Sequence, residues 1–134
     1  MKTKTQDHDL EYYMGKLGPE YESAGQESIG HMLDEYHIPF FYKIPILVWE
    51  DGERRIKKPD FTLPTYNNTV IEYTPVSDET TKRDSSVFEE NRVAALFLKD
   101  ADLTGPHWQQ RLYDKLEAIY HQPQVFSSDG YQLR

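Results

Sequence analysis

The chain of 134 residues contains no cysteine, which excludes a disulfide framework and any cysteine-ligated zinc site. No apolar run approaches the roughly 20 residues that a membrane-spanning helix requires. The opening stretch, MKTKTQDHDLEYY, lacks the apolar segment of a signal peptide. There is no glycine-rich phosphate loop and no Gly-x-Ser-x-Gly nucleophile elbow. The five histidines show no His-x-x-x-His spacing, so they read as structural. Positive charge is scarce: 15 Lys and Arg stand against 23 Asp and Glu, a net charge of −8. Proteins that hold nucleic acid by electrostatics alone are usually basic, so the total argues against that class. These absences lead to the expectation of a cytoplasmic protein with no membrane association.

What remains suits one globular domain. Hydrophobic residues make up 37% and charged residues 28%, and ten tyrosines and six phenylalanines supply bulky core material. A chain of this length buries roughly two-thirds of its unfolded surface. Residues 1–18 are polar and end at a Gly-Pro break, so they read as a flexible arm before a domain spanning 19–134. From Glu20 to Tyr36, Tyr21, Ala24, Ile29, Met32, Leu33 and Tyr36 follow helical spacing, and Ile38-Pro39 stops the helix. Residues 40–49 read as a strand, in which Pro45 marks an edge or a bulge. Asp51-Gly52 signals a hairpin turn, residues 54–63 return, and Asn67-Asn68 turns the chain into a third strand at Thr69–Tyr73. A short helix is expected near 85–91. Val93–Leu98 fits a buried strand or a helix segment, with length and the following turn favouring the strand. A clear helix runs from 104–106 to His121, with Trp108, Leu112, Leu116, Ile119 and Tyr120 on its apolar face. A last small hairpin is expected around Asp129-Gly130. The order is helix, three-strand meander, helix, strand, helix: an α/β layout with a mixed sheet.

Two acids interrupt neighbouring strands. Asp60 follows Pro59 on the second strand, and Glu72 lies between Ile71 and Tyr73 on the third. Turning at Asn67-Asn68 brings both carboxylates to one end of a hairpin. Facing carboxylates repel each other unless something neutralises them, and Mg²⁺ or Mn²⁺ is suited to do so because hard cations prefer oxygen ligands. Such an ion activates water and stabilises charge on a phosphate under attack. The structural alternative is that each acid sits on a solvated strand face or pairs with Lys58 or Arg55.

Pro59-Asp60 followed by Glu72, on a hairpin after a helix bearing Gln26-Glu27, resembles the PD-(D/E)XK superfamily of nucleases. The resemblance extends over roughly residues 20–103. It takes in Lys58-Pro59-Asp60-Phe61-Thr62, Val70-Ile71-Glu72 and Leu96-Phe97-Leu98. It implies a restriction-endonuclease-like core, with a central mixed four-stranded sheet flanked by helices. It also implies a divalent metal held by Asp60, Glu72 and the backbone carbonyl of Tyr73, with Glu27 as a further acidic group. One departure stands out: the family places a lysine two residues after the second acid, and here that residue is Thr74. A threonine hydrogen-bonds but brings no charge to a developing anion. Lys82, Arg83 or Arg92 on the following helix, or Lys43 or Lys58 on the meander, are the candidates to replace it.

The resemblance implies a Mg²⁺- or Mn²⁺-dependent nuclease, with DNA as the expected partner. A domain this small leaves little surface for gripping a duplex, so a homodimer or a larger complex is expected. Arg54, Arg55, Lys57 and Lys58, four cations in five residues, are the candidate phosphate contacts. Strand alternation sends Arg54 and Lys58 to one side and Arg55 and Lys57 to the other. The alternative reading is a catalytically weak nuclease-fold subunit that binds nucleic acid or a partner protein, which Thr74 and the net charge favour. A third is an acidic mimic of nucleic acid, against which the basic run counts.

Overall fold

A computed structural model describes residues 19–76 and 78–121. The expected arm at 1–18 and the hairpin around Asp129-Gly130 lie outside the described residues.

The first helix, α1 (Ala24–Glu35), starts later than the apolar spacing suggests. Ser23 caps it, its hydroxyl accepting the Gln26 N–H at 3.2 Å. Glu27 in the first turn meets the positive end of the helix dipole. The helix closes with two wrap-around bonds, Ile38 N–H to Leu33 and His37 N–H to Asp34, with His37 left-handed at φ 59°. The second helix, α2 (Glu79–Glu90), is longer than expected because Asp78 caps it well upstream of Ser85. It closes in the same way through Val93 and Arg92.

The expected three-strand meander is corrected. Its first two arms are each divided into two strands: β1 (Phe41–Tyr42) and β2 (Ile46–Glu50), then β3 (Glu53–Lys57) and β4 (Phe61–Leu63). The breaks fall opposite one another. Lys43 adopts a left-handed φ of 58°, and Pro45 and Pro59 cannot donate to a ladder. The last bond before the division runs from Lys43 N–H to the Asp60 carbonyl at 3.0 Å. Beyond it, β2 and β3 form a separate hairpin. Its turn has positive φ at both Asp51 and Gly52, the type I′ geometry that suits strand twist.

The remaining strands build one mixed sheet in the order β1-β4-β5-β6, where β5 is Thr69–Tyr73 and β6 is Ala95–Leu98. Val93–Leu98 thus supplies a strand. β4 and β5 are antiparallel and β5 and β6 parallel, with α2 as the crossover between the parallel pair. The last helix, α3 (Trp108–Tyr120), follows a short 3-10 turn at Asp100–Leu103.

Alternation along the strands divides the apolar residues between two faces. Phe61, Leu63, Ile71 and Leu98 pack with Ile29, Met32 and Leu33 of α1 and Leu112 and Leu116 of α3 in one core. The other face carries Val70 and Phe97. Phe97 meets Phe88 of α2 at 6.3 Å between ring centroids. Val48 of the hairpin is buried near α2, which packs against β2. The hairpin is further fastened by Asn91, whose side chain accepts the Trp49 N–H and donates to the Trp49 carbonyl. Its outer face leaves Leu47, Trp49 and Ile56 exposed. No helix among the described residues is long and apolar enough to cross a membrane.

Candidate carboxylate site

The register of β4 on β5 pairs Phe61 with Ile71 and Thr62 with Val70. Extended by one residue, it sets Asp60 opposite Glu72. The two acids are then tied through each other's strand. The Asp60 N–H donates to Glu72 Oε1 at 3.0 Å, and the Tyr73 N–H donates to Asp60 Oδ2 at 2.8 Å. The division of the strands at Pro59 matters here, because it frees the Asp60 N–H from any sheet partner and leaves it for Glu72.

Asp60 is buried, at 5% exposure, and its other oxygen is also engaged. Oδ1 accepts from Gln26 Nε2 at 2.9 Å and lies 3.1 Å from Lys43 Nζ. Gln26 is itself held: its Oε1 accepts the Tyr42 hydroxyl at 2.7 Å and the Glu22 N–H at 3.0 Å. The α1 backbone approaches the sheet closely enough that a Cβ on Gly25 would collide with the Tyr73 ring. That ring is anchored by a hydrogen bond from its hydroxyl to Asp100. These contacts place Gln26 at Asp60 and keep it there.

Burial pushes the Glu72 carboxyl up to about 7, against an N–H bond from Asp60 that favours the anion, and Asp60 and Asp84 raise it further. Lys43 is also raised, for a different reason. Burial disfavours its charge, but Asp60 and Glu22 outweigh that and hold the ammonium above its ordinary value. The acids border an open cleft of about 380 Å³ between the end of β5 and the first turns of α2, lined by Asp60, Glu72, Thr74, Thr80, Asp84 and Phe97 among others. Thr74 donates its N–H to the Leu98 carbonyl at 2.7 Å, while its buried hydroxyl has no hydrogen-bond partner among the described residues.

Several expected site residues stand elsewhere. Glu27 is exposed and lies 3.8 Å from His31 on its own helix; its neighbour Gln26 takes the inward position. Lys82 is exposed and pairs with Glu79 at 3.8 Å. Arg92 occupies the left-handed position that closes α2, at the opposite end of that helix from the cleft. The basic run is partly committed to the protein itself. Lys57 bridges Asp84 at 3.2 Å and Glu50 at 3.5 Å, Arg55 pairs with Glu53 at 3.0 Å, and Arg54 lies 5.6 Å over the Trp49 ring. Lys58 is exposed beyond the end of β3. Of the cations considered, Lys43 is the one that reaches an acid of the pair.

Gln26 was accessible to sequence reasoning. Ile29 and Leu33 set the buried face of α1, and Gln26 lies three and seven residues before them, on that face. Lys43 stood among several candidate cations in the sequence with nothing to single it out, since its reach depends on a left-handed backbone that no motif announces.

Among the described residues, no three His, Cys, Asp or Glu side chains stand close enough together to hold a metal ion. The Asp60 and Glu72 carboxylates are oxygen donors of the kind Mg²⁺ prefers, and this ion is commonly bound through one or two carboxylates with water and substrate phosphate completing the shell. Burial is the main cause that raises Glu72, and the nearby Asp60 and Asp84 charges add to it; a cation would offset the second of these. Compared with models of protein families, with curated proteins and with solved structures, the chain matches none.

Proposed function

We propose that this chain is a PD-(D/E)XK-type nuclease that hydrolyses phosphodiester bonds of nucleic acid, DNA foremost, with Mg²⁺ or Mn²⁺. The observation that carries this reading is the reciprocal tie between Asp60 and Glu72 across adjacent strands at the edge of a cleft. The order of elements around the four-stranded sheet, helix, three strands, helix and a parallel fourth strand, supports it as a restriction-endonuclease-like arrangement.

Asp60, Glu72 and the Tyr73 carbonyl would hold the metal, which when bound supplies an activated water and neutralises charge on the phosphate. Gln26 fixes the Asp60 carboxylate, so that one oxygen is oriented before any ligand arrives. Lys43 provides the positive charge that Thr74 does not, from the far side of Asp60. The Thr74 hydroxyl, buried and unpartnered, is a donor available to a phosphate oxygen in the cleft. Lys58, exposed beyond the end of β3, remains the proposed backbone contact, while Arg54 shares the Trp49 face of the hairpin, Arg55 lies on the opposite one, and Lys57 serves to hold the hairpin on α2 by its bonds to Glu50 and Asp84. A second copy of the chain, seated on the exposed Leu47, Trp49 and Ile56 of the hairpin, would give the two sites that a double-strand cut needs.

One observation favours the alternative of a nuclease-fold subunit with little activity. Both oxygens of Asp60 already have protein partners, so a metal must share them. A panel of supercoiled, linear, branched and single-stranded DNA, together with RNA, incubated with Mg²⁺ and with Mn²⁺, separates the two readings. The nuclease reading expects cleavage of at least one substrate that needs the metal. Metal-independent binding without cleavage would establish the subunit.

A further inference from the structure

A second cavity, of about 460 Å³, lies at the other end of β4 from Asp60. It is walled by Tyr36 at the end of α1, Tyr66 after β4, and Tyr113 and Tyr120 of α3, with Glu117 among them. The rings are arranged in two pairs. Tyr36 and Tyr113 lie 5.2 Å apart at 32°, and Tyr66 and Tyr120 lie 5.5 Å apart, edge to face. Glu117 is turned toward the rings, its Oε2 accepting the Tyr66 hydroxyl at 2.7 Å. His121 also lies 3.3 Å from its Oε1. His37 is also in the wall, and no lysine or arginine is.

Each component selects for the same chemistry. The face of a tyrosine ring carries negative charge and attracts a cation, most of all one whose charge is wrapped in methyl groups and easily stripped of water. A carboxylate among such rings adds a fixed anion. The size falls in the range of small-ligand cavities, roughly 300–1,000 Å³. An apolar ligand would have no use for Glu117, and an anion would be repelled by it and by a chain of net charge −8.

We propose that this tyrosine-lined cavity binds an organic cation, a methylated ammonium group, held by the rings of Tyr36, Tyr66, Tyr113 and Tyr120 and by the Glu117 carboxylate. The group is the same whether it is carried by a free quaternary amine or by a methylated lysine side chain. The site shares no residue with the carboxylate cleft, so its test is independent of nuclease activity.

The test is an NMR titration of the intact protein with tetramethylammonium, choline and a trimethyl-lysine peptide, against sodium chloride at equal ionic strength. The neutral isostere 3,3-dimethylbutan-1-ol is the control for shape. The expected result is saturable shifts confined to residues around the cavity, with choline bound at least about ten-fold tighter than its neutral isostere. Glu117→Gln should weaken binding by a similar factor. Tyr120→Ala, at a ring already 44% exposed, should weaken it without disturbing the fold. Tighter binding of choline or of the peptide identifies the source of the group. Equal binding of the neutral isostere would overturn the proposal. So would shifts that never saturate, or unaltered affinity in both variants.

Discussion

The two ends of β4 handle a carboxylate in opposite ways. At the Asp60 end, Glu72 is half-buried beside two other acids, and its carboxyl is pushed up to about 7, first by burial. At the Tyr66 end, Glu117 stands near the surface and is held below its ordinary range, first by the Tyr66 hydroxyl that donates to it. Burial with like charges disfavours the anion at the first end; a hydroxyl donor favours it at the second. Carboxylates near the two ends of the same strand thus differ through their surroundings and not their type.

The largest expected effect is on activity. Asp60→Ala should reduce metal-dependent cleavage by at least about a hundred-fold, as loss of a group that supports transition-state charge does; cleavage rates on a preferred substrate check it. Next is Lys43→Met, which leaves the buried Asp60 carboxylate without its cation. Breaking such a pair costs about 3–5 kcal/mol when fully buried. Lys43 is 31% exposed, so a loss of about 2 kcal/mol is expected by urea denaturation at pH 7. If Lys43→Met is neutral, the cation does not belong to the site.

Glu72 sharpens the contrast through pH. Its carboxyl titrates higher in the folded chain than in the unfolded one, so the folded state holds the extra proton. Its contribution to stability is therefore complete below the unfolded value near 4.5 and is lost as pH rises through about 7. Metal-free protein should lose stability between those limits. In Glu72→Gln that slope should shrink, leaving the variant on the order of 2 kcal/mol more stable than the parent at pH 8. Denaturation curves at pH 4.5, 6 and 8 measure it, and parallel slopes in both proteins would contradict the assignment. The smallest effect belongs to the other end. Tyr66→Phe removes one hydrogen bond to a partly exposed carboxylate and should lower the thermal midpoint only slightly, which calorimetry reads.

The same physics explains what was legible in the sequence. Asp60 and Glu72 were visible because each interrupts an apolar strand, and the turn at Asn67-Asn68 is spelled in residues that tolerate a left-handed backbone. β6 was legible as an apolar run too short for a helix. The division of the meander was only half legible: Pro45 and Pro59 announce breaks, but not that the hairpin between them leaves the sheet. Arg92 looked like a spare cation because a left-handed non-glycine residue closing a helix has no sequence signature. Lys57 looked free because its partners, Glu50 and Asp84, come from a neighbouring strand and a distant helix. The tyrosine cavity joins three segments far apart in the chain and was not legible at all.

The central claim is that Asp60 and Glu72 act together as a metal-dependent hydrolytic pair. The most direct measurement is nicking of supercoiled DNA in Mn²⁺ by the parent chain, Asp60→Ala and Glu72→Ala, prepared identically and repeated with chelator. The account predicts nicking by the parent that chelator abolishes and that both variants lack. Nicking that persists undiminished in either variant would contradict it.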